Sequence, residues 1–283
     1  MSNNGRILSE AERRRYIQRF KKLTIKNDFM FCKVLQNASI CAKVITLLLK
    51  GQYEIPSLKL IIPQATIQNH AELKSVRLDV LAEDERGNSY DIEMQVINEK
   101  NIAKRSRAYL TAIDGYKMNK GIKYNELTDT IIIFICLFDP FGKGRAIYFF
   151  EEYNSPEKDI KLKNGTYKVI VNALAKENLN NEELKAFLKY ISTGEVTSDL
   201  TREMEMEVTT IKEDNIITEK YVSFCARIVD AQNSGRRKGR KEGIKKGRKE
   251  GIIATAKNLL NMQLPIEDVI KATGLSKEEI EKL

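Results

Sequence analysis

Two acids and an amide stand at a spacing that could do chemistry: Asp79, Glu93 fourteen positions on, and Gln95 two further. The stretch that holds them, VRLDVLAEDERGNSYDIEMQVI over residues 76–97, reads as a β-hairpin. Val76 to Glu83 and Ser89 to Ile97 carry branched and aromatic residues, and Gly87 stands where a three-residue loop wants positive φ. With Glu85, Arg86 and Gly87 as the loop, Asp84 faces Asn88 and Asp79 faces Glu93. Tyr90, Ile92, Met94 and Val96 alternate with Asp91, Glu93, Gln95 and Ile97, so the two sets take opposite faces. Residues directly across a pair have Cβ atoms roughly 5 Å apart. Arg77, Asp79, Asp91, Glu93 and Gln95 are therefore expected on one face. Facing carboxylates repel unless something positive lies between them. Such a face is either a solvated acidic surface or a site for a hard cation. Mg²⁺ or Mn²⁺ suits one or two carboxylates and keeps open positions for water and a phosphate. Such an ion could polarise a phosphoryl oxygen and supply hydroxide for in-line attack.

The pattern Asp79, a 13-residue gap, then Glu93-Met94-Gln95 resembles the acidic hairpin of the PD-(D/E)XK nuclease superfamily. The string YDIEMQ (90–95) more closely resembles the Rpn family of recombination-promoting nucleases and transposases. That family also has an N-terminal motif like KNDFMFCKVL (26–35) and an Arg/Tyr pair like Arg107 and Tyr109. The resemblance spans roughly residues 22–190, and a Gly/Glu/Lys-rich tail often follows it in the family. It implies an α/β fold: a restriction-endonuclease-like core, a mixed central sheet flanked by helices, here with a C-terminal helical tail. It also implies metal-dependent DNA cleavage that could promote recombination or transposition, with Asp79 and Glu93 as metal ligands. Gln95 stands where the superfamily has its Lys, and Gln is usual there in the Rpn group. An amide cannot act as a base, so Gln95 could only position the water.

The elements around the hairpin must hold these groups. Asn27 or Asp28 caps a helix to about Gln36, whose Phe31, Val34 and Leu35 form an apolar stripe. Asp28 is then either a cap or, with Lys33, a group near the metal, since the first helix of such nucleases often supplies an acid. Residues 38–50 form a helix stopped by Gly51. Leu58 to Ile62 is a strand ended by Pro63. In a helix from Glu99, Ile102, Tyr109, Ile113 and Tyr116 make the apolar stripe, with Tyr109 read as core. Lys100, Lys104 and Arg107 share another face, either solvated or binding phosphate beside the metal. TIIIFICLF (130–138) has no polar alternation and marks a strand buried on both sides. Arg145 to Phe150 is another strand, and Asn164-Gly165 in KLKNGTYKVIV (161–171) signals a hairpin. Helices near 181–192 and 198–232 follow.

Charge is concentrated at one place. The chain of 283 residues carries 48 Lys and Arg against 39 Asp and Glu, a net of +9. Residues 236–250 hold nine Lys/Arg and two Glu, a net of +7. The excess is therefore one local run, including Arg236, Arg237, Lys238, Arg240 and Lys241, that favours a polyanion. Gly235, Gly239, Gly243, Gly247 and Gly251 recur through it every four residues. Each Gly costs about 1 kcal/mol in a helix, so a flexible basic linker that orders on DNA or a partner is expected. Ile253 to Met262, a helix from Pro265, a Thr273-Gly274-Leu275 turn and a Ser276-capped last helix then give helix-turn-helix patterning. Glu278, Glu279 and Glu281 suit a packing or oligomerisation module at least as well as a DNA reader.

The expected organisation is an N-terminal helix (1–21) opened by a Ser9/Glu12 capping box, a nuclease-like core (22–192), a helical extension (193–234), the basic linker (235–251) and the helical module (252–283). Cys32, Cys41, Cys136 and Cys225 show no metal or redox spacing and read as buried reduced thiols. A single histidine, His70, argues against zinc and His-based hydrolases. No signal peptide opens the chain, and Ile131 to Phe138 is too short for a span of ~20 residues. A soluble cytoplasmic protein with DNA as partner, no membrane and a homodimer left open is expected. A non-catalytic DNA-binding protein with a decayed nuclease core is the alternative. An RNase H-like transposase would need a late acid, and Glu182 and Glu183 are poor candidates.

Overall fold

The computed structural model describes residues 8–51, 53, 57–67, 76–175 and 179–283. His70 falls outside them. The first half of the chain gives α1 (Glu10–Lys21), α2 (Asp28–Val34), α3 (Ala38–Leu49), β1 (Leu58–Pro63), β2 (Thr66–Ile67), β3 (Val76–Arg77), β4 (Val80–Asp84), β5 (Ser89–Gln95) and α4 (Ile102–Asn119). There follow β6 (Thr130–Cys136), β7 (Ile147–Phe150), β8 (Thr166–Asn172), α5 (Glu182–Thr193), α6 (Asp199–Glu213), α7 (Asn215–Asn261), α8 (Ile266–Thr273) and α9 (Lys277–Ile280). The expected mixed α/β architecture is present. A six-stranded sheet has the order β1-β4-β5-β6-β8-β7, and β2 and β3 form a separate ribbon.

β6 is buried along its whole length. An apolar run without alternation fits only where both faces are covered, and β6 lies between β5 and β8, parallel to both. α4 is the crossover from β5 to β6. Its Ile102, Ala112 and Ile113 pack with Ile132, Phe134, Cys136 and Ile170 on one face of the sheet. Tyr53, beyond α3, sets its ring edge-on to Tyr90 and Tyr167, which places α3 on the opposite face. The four cysteines are buried and free. Among the described residues, no single helix is long and apolar enough to cross a membrane.

The hairpin has the expected register, Val80 opposite Ile92 through Glu83 opposite Ser89. Asp84 sets it. Its carboxylate is fully buried and accepts from the backbone N–H groups of Arg86 and Asn88, both at 2.9 Å. It also accepts from the Asn88 side chain at 2.9 Å and the Tyr90 hydroxyl at 2.7 Å. Gly87 closes the turn at φ +82°, a conformation that costs a residue without Cβ little.

Five elements differ from the sequence reading. The strand expected from Val76 to Glu83 is split: Val76 and Arg77 form β3 and pair with β2, and β4 starts at Val80. The helix after the hairpin starts at Ile102, not Glu99, because Asn98 Oδ1 accepts from the Lys100 N–H and Lys100 takes φ +55°. Asn164-Gly165 does not join two paired strands. β8 pairs with β6 and β7 instead, and the Asn164 side chain caps the Thr166 N–H at 3.2 Å. The helix expected over 198–232 breaks at Asp214, which is extended and caps α7 by accepting from Ile216 and Ile217. The glycine-repeat segment is helical within α7 rather than a flexible linker. Three of every four positions there are mostly Lys, Arg, Glu or Ile, which sustain a helix, and Lys246 pairs with Glu250 one turn on at 3.8 Å.

The chain divides into two compact units, Ile17–Tyr221 and the remainder. The first holds the sheet and helices α2 to α6. In the second, Ala256, Val269 and Ile280 form a small apolar cluster, joined by Leu259, Leu260, Ile270 and Leu275. Gly274 at φ +71° and a Ser276–Glu279 capping box shape its last turn. A Ser9–Glu12 box starts α1.

Asp84→Ala leaves the Asn88 and Tyr90 donors buried without their acceptor. Hydrogen bonds to a charged group contribute about 1.5–3 kcal/mol each. The unfolding free energy from urea titration is expected to fall by roughly 3 kcal/mol. A loss below about 1 kcal/mol would contradict this role for the turn.

Candidate active site

The face of the hairpin under α4 gathers Asp79, Asp91 and Glu93. Asp79 lies just before β4, and its position is fixed through its backbone. Its carbonyl accepts from the Gln64 N–H at 2.7 Å and from the Cys32 thiol of α2 at 3.2 Å. Asp79 and Glu93 then hold each other. The Asp79 N–H donates to Glu93 Oε1 at 2.7 Å, and the Met94 N–H donates to Asp79 Oδ2 at 3.2 Å. Side-chain carboxylates continue the hairpin's hydrogen bonding past the end of β4. Asp79 is 8% exposed and Glu93 2%.

The cation at this face is Arg105 of α4. It donates to Glu93 Oε2 at 3.2 Å, to Gln95 Oε1 at 2.6 Å and to the Tyr109 hydroxyl at 2.6 Å. Its guanidinium lies over the rings of Tyr109 and Phe134, 5.3 and 5.4 Å from their centroids. Tyr109 stacks on Phe134 at 6.0 Å. Tyr109 therefore serves both the core and the site. Gln95 accepts from Arg105 and donates to the Met94 carbonyl at 2.9 Å. A Gln amide has two lone pairs and two N–H groups, which leaves one of each for a water.

Asp91 is the residue the sequence reading placed on this face without giving it a role. It is fully buried, and neither of its oxygens has a hydrogen-bond partner among the described residues. Its carboxyl lies against that of Glu93, and two carboxylates have no hydrogen to offer each other unless one is protonated. Burial, then the charges of Glu93 and Asp79, push Asp91 well above the usual carboxylate range. Burial and the charge of Asp79 push Glu93 up to about 8. Burial also pushes Asp79 up to about 6, against the Met94 hydrogen bond. Were all three acids ionised, one guanidinium would not balance them.

The other residues singled out from the sequence are spread more widely. Asn27 caps α2, accepting from the Phe29 N–H at 3.1 Å. Asp28 is the first helical residue, exposed, and adds its charge to those acting on Asp79 and Glu93. Arg77, exposed on β3, opposes that effect at Asp79. Lys104 and Arg107 are exposed on α4, and the structure does not bring them to Glu93. Arg236, Arg237, Lys238, Arg240 and Lys241 are exposed along α7. Glu182 is exposed at the start of α5, and Glu183 accepts from the Ser198 hydroxyl at 2.7 Å. The signal for Arg105 was legible: it stands at i+3 from Ile102 and i−4 from Tyr109, a charge inside the apolar stripe. Such a charge needs a buried partner.

Among the described residues, no three acidic, histidine or cysteine side chains converge as a metal-binding group. The donor set at the pair is oxygen only: Asp79, Glu93 and the Gln95 carbonyl. Two acids with a third buried acid beside them fit a hard divalent cation that keeps most of its waters.

A family model described as PD-(D/E)XK nuclease family transposase matches residues 25–163, a span that holds all of these acids and Arg105. No curated protein and no solved structure matches the chain.

A carboxyl that binds its proton more tightly when folded makes the native state the better proton acceptor, so stability falls as pH rises. The window here runs from the usual 3.8 and 4.5 up to about 6 for Asp79 and about 8 for Glu93. In chelator, the melting temperature is expected to fall by roughly 5 °C between about pH 5 and about pH 8. Glu93→Gln should flatten that slope. An unchanged slope in the variant would contradict the assignment.

Proposed function

Residues 25–163 belong to the PD-(D/E)XK nuclease family transposases, and from that premise we propose that this chain is a metal-dependent DNA endonuclease. The observation that carries the reading is the reciprocal lock of Asp79 and Glu93 across the hairpin. It presents two acids at one place, as phosphodiester hydrolysis on a hard cation requires. Asp79 and Glu93 would hold Mg²⁺ or Mn²⁺. Such an ion, when bound, supplies Lewis acidity toward a phosphoryl oxygen.

The chain's own residues do the rest. Arg105 is a positive group fixed on four sides and aimed at Glu93, suited to stabilise charge that develops on the phosphoryl oxygens. Gln95 orients Arg105 and has one lone pair and one N–H to direct a water. Arg77, Lys104 and Arg107 are exposed cations suited to contact DNA phosphates, and Asp28 is an accessory acid beside the pair. The cations of α7 contribute sequence-independent affinity with steep salt dependence. Cleavage of this kind serves recombination or transposition.

One observation favours a second reading, a non-catalytic DNA-binding protein: the Arg105–Glu93 pair already neutralises one acid without a cation. The two readings separate on plasmid DNA. Wild type with Mg²⁺ is expected to nick, chelator to abolish nicking, and Glu93→Ala to slow it by more than roughly 100-fold. Salt-sensitive DNA binding should survive in that variant. Equal nicking by both proteins, or none by wild type, would overturn the catalytic reading.

A further inference from the structure

Beside the acidic site, the same face of the sheet carries a cavity of about 570 Å³ between the start of α4 and strands β7 and β8. That volume falls in the range of small-molecule pockets. Its floor is Ile102 and Ile170, and its wall includes Phe141 and Phe150. These phenyl groups are 43% and 41% exposed, with ring centroids 5.3 Å apart. Phe141 also meets Tyr148 edge-on at 4.7 Å.

The loop that presents Phe141 is built rather than loose. Asp139 accepts from the N–H groups of Phe141 at 3.0 Å and Gly144 at 2.7 Å, and from the Tyr148 hydroxyl at 2.8 Å. Gly142 and Gly144 sit at φ +67° and +72°, which lets the chain reverse tightly. The loop reads FGKGR, so exposed Lys143 and Arg145 follow the ring directly. Lys100 and Lys168 line the cavity. Lys168 is partly balanced by Glu152 at 3.9 Å.

An apolar recess with exposed rings and a rim of cations matches one ligand chemistry: a flat aromatic base joined to a phosphodiester. Every nucleobase offers a π-face, so stacking on rings of this kind tolerates any sequence. The rim cations suit the adjacent phosphates. An apolar peptide would use the rings and leave the cations unpaired. We propose that this pocket takes an unpaired nucleobase of the nucleic acid substrate, stacked on the face of Phe141 or of Phe150, whose planes lie 52° apart, with Lys100 on its phosphate. This rests on the nuclease reading of the neighbouring site, and the base comes either from a single strand or from a duplex by flipping.

The test uses the full chain in chelator, so cleavage plays no part. A single-stranded oligonucleotide carrying 5-iododeoxyuridine is photo-cross-linked to the protein, and the attached peptide is identified by mass spectrometry. The same oligonucleotide annealed to its complement forms the second arm. The expected result is attachment at Phe141 or Phe150, with yield falling about tenfold in Phe141→Leu. Attachment only in the single-stranded arm assigns a single strand, and attachment in both assigns a flipped base. Attachment confined to α7, or an unchanged yield in a Phe141→Leu protein of unaltered circular dichroism, would overturn the pocket. A dimer that Phe141→Leu dissociates, with no attachment at either ring, would give the face to a second copy and overturn it too. If the rings are labelled but plasmid is never nicked, the nuclease reading fails and the pocket stands.

Discussion

Three carboxylates enclosed with one guanidinium are the constraint around which this domain is arranged. Burying an ionised carboxylate without a partner is costly, and among the described residues Asp91 meets only the Glu93 carboxyl, which can bond it only if one of the two holds a proton. The molecule offsets the cost in two ways. Protons are held more tightly, by Asp91 and Glu93 above all. Backbone N–H groups and Arg105 take up the oxygens that stay charged. A fold tuned only for stability would replace such acids with apolar side chains of similar volume. Their presence in the middle of the sheet is a physical reason to assign them a task.

The scaffold keeps the acids together at several levels. The Asp84 turn fixes the register that brings Asp79 opposite Glu93. β6 pairs with β5 along its whole length, which holds Glu93 in the buried part of the sheet. α4 lays Ile102 and Ile113 on the sheet, and the same docking delivers Arg105 to the acids. α2 reaches Asp79 through the Cys32 thiol. A change in any one of these alters the electrostatics of all three acids, because their proton affinities are coupled through distance.

Much of this was legible in the residues. Gly87 and the alternation of Tyr90, Ile92 and Met94 with Asp91, Glu93 and Gln95 carried the hairpin, its register and its acidic face. The unbroken apolar run at Ile131 to Phe138 carried the sheet centre. The cation at the acidic face is harder to see, because Lys100, Lys104 and Arg107 share the i, i+4, i+7 spacing of a basic helix face. Arg105 sits inside the apolar stripe, where only a buried partner makes sense of it. Strand pairing beyond the hairpin was not readable: Asn164-Gly165 has turn chemistry, yet β8 finds its partners far away in sequence. The glycine repeat misled for a different reason. Its helix-forming neighbours outweigh an intrinsic cost of about 1 kcal/mol per glycine.

The central claim is that the acids at Asp79 and Glu93 await a hard cation. Titration calorimetry with Mn²⁺ at about pH 6.5, repeated in buffers of different ionisation enthalpy, tests it most directly. The account requires binding that releases protons from the buried carboxyls and is lost in Asp79→Asn. No heat of binding in wild type, or binding that Asp79→Asn leaves intact, would contradict it.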